Sequence, residues 1–437
     1  MKFGLFYEHQ IPRPWDEGAE HKLFQDALAQ VERADRLGFD YIWEVEHHFL
    51  EEYSHSSAPE VFLAACSQRT SQIRLGHGIV LMPPGYNHPA RVAERIATLD
   101  LVSNGRVEWG TGESASHMEL GGFNVDPKCK REMWAECTRE TAKMMVQSPY
   151  AGYEGQYFSM PPRNVVPKPL QSPHPPPWVA CSSRDSLRYA ARYGLGALTF
   201  AFVDANEAKF WVEEYYDIFE KECEPLTQRV NPNIAMVSGF SCHDDEETAV
   251  ARGLDGLRFF RFGLAHYYHN GSQIPGETDI WQLYKQTPQD PAEARAGIGT
   301  PDQIREHLEI MENAGVDQVV FIQQAGANRH EDIIESLELF AERVLPDFKE
   351  RDAAQVAEKN ERLTEIIVAA EKRKPVLTAL SEVPVVDSYP VLKRKLEEKK
   401  EVPDDTEMSD DGKKFLLSIE GGKRTEPSAV SQQPSEE

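Results

Sequence analysis

From its first residues to about Pro346 the chain alternates short strand-like runs with amphipathic helical runs, and this alternation limits the fold more than any other feature. Strands separated by crossover helices pair in parallel, so the pattern calls for a parallel sheet covered by helices. Eight strand candidates lie at 2–6, 41–46, 74–82, 106–109, 178–181, 197–202, 234–241 and 318–323. Helical patterns fall between them at 23–37, 59–70, 90–102, 130–147, 183–193, 206–223, 246–264 and 330–344. Leu37-Gly38-Phe39-Asp40 and Ala314-Gly315-Val316-Asp317 each put a glycine between helix and strand, where a left-handed cap is needed. Eight such units closed on themselves form an α/β (β/α)₈ TIM barrel, whose chemistry gathers at the C-terminal ends of the strands. An open doubly wound sheet is the competing arrangement, but no Gly-x-Gly-x-x-Gly turn follows the first strand.

Two segments interrupt the repeat. Residues 150–177 are rich in Pro, Gly and Tyr, and 267–299 form a long polar and aromatic run before a helix at Pro301–Asn313. Insertions of this length on a barrel serve as lids or substrate loops, or as surface ornament. After Arg351, Lys, Glu, Pro and Ser dominate, with "KRKLEEKK" beginning at Lys393. The chain therefore divides into a barrel domain at 1–351 and a charged tail at 352–437, helical around 353–374 and otherwise solvated and disordered.

Hydrophobic residues make up 40% and aromatic residues 10% of the 437, enough for a packed core. A net charge of -25 repels nucleic acid and anionic membranes, so neither is an expected partner. No run approaches the roughly 18 apolar residues of a membrane span, and Met1 to Glu8 lack a secretory pattern, so a cytoplasmic protein is expected. Cys66, Cys129, Cys137, Cys181, Cys223 and Cys242 form no Cys-x-x-Cys pair, which points to reduced, packed thiols.

Four stretches carry candidate chemistry. "EHHF", Glu46 to Phe49, ends the second strand. Side chains alternate along a strand, so if Trp43, Val45 and His47 share one face, His48 lies with Glu44 and Glu46 on the other. Adjacent histidines do not supply two ligands from one face, and His55 adds no recognised ligand spacing, so no metal site is expected. "WVACSSRDSLRYAA", from Trp178, runs from a strand into a helix start. Its hydroxyls and arginine suit either a phosphate cradle or ordinary N-capping. "LGHGIVLMPPGYNHPAR", from Leu75, and "GRVEWGTGES", from Gly105, thin two strand ends with Gly76, Gly78, Gly110 and Gly112. Glycines there mark a bulge or a close approach to backbone, and beside an anion cradle they suggest room for a flat ring.

In this order the segments resemble the bacterial luciferase-like family of flavin-dependent monooxygenases, from about Lys2 to Pro346. The most specific parts are "EHHF", "GHGIVLMPPGYNHPARVAERIATLDLVSNGR" from Gly76, and "PHPPPWVACSS" leading into "AARYGLGAL". The resemblance implies a homodimeric barrel that binds reduced FMN at its mouth, uses O₂ as cosubstrate, and receives the flavin from a separate reductase. It makes His47 catalytic, puts a non-proline cis bond at Gly78-Ile79 beneath the ring, and assigns Ser182, Ser183 and Ser186 to the phosphate. Many relatives carry an arginine after the fourth strand where this chain has Glu113, a carboxylate that repels phosphate. Arg184 or another base is then needed, or Glu113 turns away, or the cofactor is held differently. Gly110 and Gly112 are expected at the cofactor, and Phe6, Trp109, Phe200 and Phe202 at a small, largely apolar substrate. Because oxygen chemistry on reduced flavin requires water to be excluded, 267–299 is the lid candidate. His47, near its ordinary pKa of about 6.5, is expected to transfer a proton. The alternatives are a deazaflavin-dependent oxidoreductase that moves hydride without oxygen, and a flavin-binding protein without turnover.

Overall fold

Eight parallel strands close into a barrel in the computed structural model, which describes residues 1–200, 202–289, 295 and 297–386. In chain order they are Lys2–Tyr7 (β1), Tyr41–Glu44 (β2), Arg74–His77 (β3), Val107–Thr111 (β4), Pro177–Cys181 (β5), Gly196–Thr199 (β6), Ile234–Cys242 (β7) and Gln318–Ile322 (β8). Each pairs with its neighbour in the chain, and β8 closes the ring on β1 with Phe3 opposite Val319. A short extra strand, Gly297–Gly299, adds to β7 outside the ring.

Period-two alternation sorts the side chains into two layers. Phe3, Leu5 and Tyr7 of β1 face the helices, whereas Phe6 faces the barrel interior. On β8, Val319 and Phe321 face out and Val320 and Ile322 face in. The outer layer is built on aromatic edges. Phe3 meets Phe340 and Phe348 edge-on at 5.3 and 5.4 Å, and so ties β1 to the helices His330–Arg343 and Leu345–Glu371.

Inside, Trp43 and Trp178 cross at 76° with ring centroids 5.2 Å apart. A Cβ on Gly76 would lie 2.2 Å from Trp43, and one on Gly196 would lie 2.3 Å from Trp178, so both neighbouring strands are bare where the indoles rest. The indole N–H of Trp43 donates to Gln318 Oε1 at 2.9 Å and that of Trp178 to Glu108 Oε2 at 2.6 Å. Satisfied polar tips let two large rings fill the barrel below its mouth.

Three strands end sooner than their apolar runs. β2 stops at Glu44 and β3 at His77, and β6 stops at Thr199, before Phe202 adopts a left-handed backbone with φ 48°. Beyond β3 the Gly78 N–H donates to the Glu44 carbonyl at 2.6 Å, and pairing with β4 returns as a single bridge between Leu81 and Gly112. The residues past these ends build the mouth instead of extending the sheet.

Helix Leu345–Glu371 runs straight through the expected boundary at Arg351. It buries Leu363 and Ala370, and Lys359 Nζ reaches Asp317 Oδ1 at 2.7 Å, so one compact unit spans Met1–Ser381. Residues 382–386 have no regular secondary structure, and the expected disordered tail from 387 onward lies outside the described residues. All six cysteines are free, and no described helix is long and apolar enough to cross a membrane.

Candidate active site

The strand ends open into a cavity of about 480 Å³ with chemically different ends. At the inner end His47 projects from the segment after β2, and Glu8 from the end of β1. Glu119, on the short helix His117–Gly122, accepts from His47 Nδ1 at 3.0 Å and from the His48 backbone N–H at 2.9 Å. Ser114 donates to its other oxygen at 2.5 Å. The Tyr268 hydroxyl lies 3.3 and 3.4 Å from the two ring nitrogens of His47.

Charge decides the state of this end. Burial alone would lower the His47 pKa, but Glu8 and Glu119 outweigh it and raise the imidazole to about 9. His47 is thus charged at neutral pH and poised to act as an acid, rather than near the midpoint that its ordinary pKa implies. Burial pushes Glu8 up to about 7 against the pull of His47. Burial also works on Glu119, yet His47 and its hydrogen bonds hold that carboxyl below its ordinary value. His48 is turned away: Nε2 lies 3.3 Å from Glu46 Oε1, and its ring meets Phe123 edge-on.

At the outer end Ser182, Ser183 and Ser186 line the cavity at the start of helix Arg184–Arg192. Ser183 and Ser186 form a capping box, so the hydroxyls do serve the helix end. The cations come from elsewhere. Arg131, near the start of helix Lys130–Val146, donates to both oxygens of Glu113 at 2.7 and 2.8 Å and lies over the Tyr189 ring at 4.5 Å. Lys130 Nζ stands 3.3 Å from the same carboxylate. Two cations against one carboxylate leave this end net positive.

Of the expected cofactor and substrate residues, His47, Ile79, Gly112, the three serines, Phe6, Phe200 and Phe202 line this one cavity. Four do not. Trp109 faces the helices and meets His174 edge-on, because Glu108, Gly110 and Gly112 take the inward positions of β4 and its extension. Arg184 is held by Glu214 of helix Ala208–Glu222, with Nη2 at 2.6 Å, and so offers nothing to the cavity. Gly110 is bare for β3, since a Cβ there would fall 1.9 Å from the His77 carbonyl oxygen. Gly78 lies behind Val45 and Phe6, 3.1 and 3.4 Å from where its Cβ would be. The Gly78-Ile79 bond is also not cis. The cis bonds among the described residues all precede proline, and here the trans chain is held by Gly78 N–H on Glu44 and Val80 N–H on the Gly110 carbonyl. At Gly112 the bare space is already taken, because a Cβ would lie 2.2 Å from the Ile79 side chain.

The expected lid reaches the site through Tyr268 and His269. Buried Glu52 accepts from the backbone N–H groups of Ile280 at 2.6 Å and Trp281 at 3.2 Å, which fastens that segment to the loop after His48. Residues 290–294 and 296 of the segment lie outside the described residues. No residue of 150–177 lines the cavity. Among the described residues no group of three or more His, Cys, Asp or Glu is arranged to hold a metal ion.

Residues 1–318 match the luciferase-like monooxygenase family. The chain belongs to that family. Within it, the oxygenase component of the flavin-dependent trigonelline monooxygenase of Acinetobacter baylyi is 26% identical over 80% of this chain and 96% of its own length. An uncharacterised protein of Sinorhizobium fredii is 35% identical, but the match covers only 44% of this chain and 54% of that protein. The monooxygenase RslO1 of Streptomyces bottropensis superposes with a TM-score of 0.66 at 26% identity, over 80% of this chain and 100% of that one. More distant luciferase-like barrels share the fold. They include the FMN complex of the oxygenating constituent of 3,6-diketocamphane monooxygenase from Pseudomonas putida (TM-score 0.60, 21% identity, 79% of this chain and 98% of that one). The coenzyme F420 dependent tetrahydromethanopterin reductase of Methanopyrus kandleri is another (TM-score 0.57, 20% identity, 79% of this chain and 99% of that one).

The donor set fits a flavin phosphate. Hydroxyls at a helix start and two neighbouring cations at one cavity end suit an anion, and the space toward His47 is walled by Ile79, Val179 and Ala180. Glu8, Glu119, Tyr268, Lys130 and Arg131 were not singled out in the sequence. Glu8 had a usable signal, a carboxylate one residue past an apolar strand on the side where barrels keep their chemistry. Lys130 and Arg131 had none, since cations at the start of a solvent-facing helix are unremarkable in sequence.

Proposed function

We propose that this protein is the oxygenase of a two-component flavin-dependent monooxygenase, which takes reduced FMN from a separate reductase and transfers an oxygen atom from O₂ to a small, largely apolar substrate. One observation carries the reading: a single cavity holds buried His47 flanked by the Glu8 and Glu119 carboxyls at one end and a cation and hydroxyl cluster at the other. The bound flavin supplies the electrons that activate oxygen. This chain's residues do the rest. Arg131 and Lys130, with the serines, fix the phosphate end. His47 holds a proton at Nε2 facing the cavity while Glu119 anchors Nδ1, so a general acid stands ready where negative charge develops on oxygen. Tyr268 covers His47 from the lid side, and Phe6, Phe200 and Phe202 line the rest of the cavity with apolar surface, which keeps water out.

The test is anaerobic titration with reduced FMN and, in parallel, with reduced deazaflavin coenzyme, followed by rapid mixing with oxygen. Tight FMN binding and re-oxidation much slower than that of free flavin, with little peroxide released, are expected. Preference for the deazaflavin, with indifference to oxygen, overturns the oxygenase reading in favour of hydride transfer. FMN binding without substrate-dependent turnover over a broad panel marks a binding protein.

A further inference from the structure

The oxygenase reading uses His47 and leaves Glu8 without a task. Glu8 is 2% exposed; the Ser54 and Tyr53 hydroxyls stand against its carboxyl and favour the charged form, but its Oε2 has no well-aligned hydrogen bond. Its Oε1 stands 3.7 Å from His47 Nε2, close enough for strong attraction and too far for a hydrogen bond. Burial with this incomplete pairing favours the protonated carboxyl.

The groups around the pair leave that proton few places to go. Glu119 packs on the far side of the ring and stays ionised, held there by His47. Glu44 and Glu46 add negative charge from β2 and its extension. Burial pushes the phenols of Tyr53, beside Glu8, and Tyr268, over His47, far above their ordinary range, so both stay neutral. Burial raises Glu8 to about 7, and the neighbouring carboxylates raise His47 to about 9.

We propose that Glu8 and His47 act as one acid–base unit, in which Glu8 is a second proton site that returns a proton to His47 Nε2 after His47 has released its own into the cavity. In that exchange the Nε2–H bond of the imidazolium breaks as its proton passes to a basic atom placed against it. The O–H bond of the Glu8 carboxylic acid then breaks, a new Nε2–H bond forms, and an imidazolium facing a carboxylate remains. No electrons change hands, and closing the gap to about 2.8 Å takes a small side-chain rotation. The proposal rests on the oxygenase reading only for what receives the first proton.

The experiment is a pH titration by NMR of the full chain labelled in its histidine rings, without flavin, with His47→Gln used to identify the His47 signal. The wild-type ring should respond twice, near pH 7 as Glu8 ionises beside it and near pH 9 as the ring loses its proton. Glu8→Gln, nearly isosteric, should abolish the lower step and bring the upper one down by about one to three units. Glu8→Asp should keep both steps. A single step in the wild type overturns the proposal even if the variants fail to fold, and so do two steps persisting in Glu8→Gln. Because no flavin is present, failure here leaves the oxygenase reading standing, and failure of the FMN titration leaves this pair standing.

Discussion

Exchanging charge at the outer end of the cavity separates an anion site from a coincidence of surface ions. Arg131 is bidentate on Glu113, with Lys130 behind it. A phosphate placed against this cluster gains the attraction of the guanidinium, about 4 kcal/mol for unit charges about 4 Å apart at an effective dielectric constant of about 20. The Arg131 side chain is 38% exposed, and solvent screening reduces that to about 1–2 kcal/mol. Arg131→Ala should therefore weaken FMN binding by about 5–30-fold. Glu113→Gln keeps an acceptor for Arg131 but removes the repelling charge, and should tighten FMN by roughly 2–10-fold. Both are read by calorimetric or fluorescence titration at low and high salt, with riboflavin, which lacks the phosphate, as the control. Riboflavin affinity should stay constant in both variants, and the FMN effects should shrink as salt is added. Equal losses for riboflavin and FMN in Arg131→Ala would refute the assignment of this end to phosphate, as would weaker FMN binding in Glu113→Gln.

Other perturbations address the inner end and the barrel. His47→Ala should leave FMN affinity nearly unchanged while suppressing product formation, checked by titration and by product-coupled oxygen uptake, and unchanged turnover would reject the catalytic assignment. The raised His47 pKa contributes stability that is complete below about 6.5 and lost as pH rises through about 9, so urea midpoints should fall across that window. Glu119 has a lowered pKa and contributes stability above its ordinary value that is lost in acid. Glu119→Gln should therefore shift the alkaline fall to lower pH and remove part of the acid fall, and an unchanged profile would sink the coupling. Truncation after Ser381 should leave the melting curve intact, whereas truncation after Arg351 strips buried Leu363 and Ala370 and the Lys359–Asp317 pair, and should lower stability by several kcal/mol. Equal melts for the two truncations would return the barrel's boundary to Arg351.

The barrel was legible because its signals are local. Apolar runs with glycine-capped joints, as at Gly38 and Gly315, whose φ angles are 89° and 86°, need only neighbouring residues to act. The ends of β2, β3 and β6 were overextended for a related reason. An apolar run such as Ile79 to Met82 reads as strand whether it continues the sheet or folds over the mouth, and pairing partners decide between the two. Trp109 shows the same limit in the other direction. Its place at a strand end suggested a substrate wall, yet parity sets it among the helices, and parity could be anchored only once Glu108 was seen beneath Trp178.

The site was legible in its residue types and not in its charges. His47 in isolation reads as a proton-transfer group near its ordinary pKa, and what makes it an acid is a pair of carboxylates from separate elements, Glu8 just past β1 and Glu119 on a helix 72 positions after His47. No short motif spans that distance. Glu113 makes the complementary point. Taken alone, a carboxylate in place of the arginine that many luciferase-like relatives carry argues against a phosphate. In the fold Arg131, 18 positions on, meets it in two hydrogen bonds and Lys130 adds a further charge, so this end keeps the net positive charge that one arginine would have supplied. Binding an anion depends on the field at the cavity wall and not on which strand end supplies the cation. A cavity end can therefore stay net positive without the expected residue, provided that a neighbouring helix starts with a base within reach.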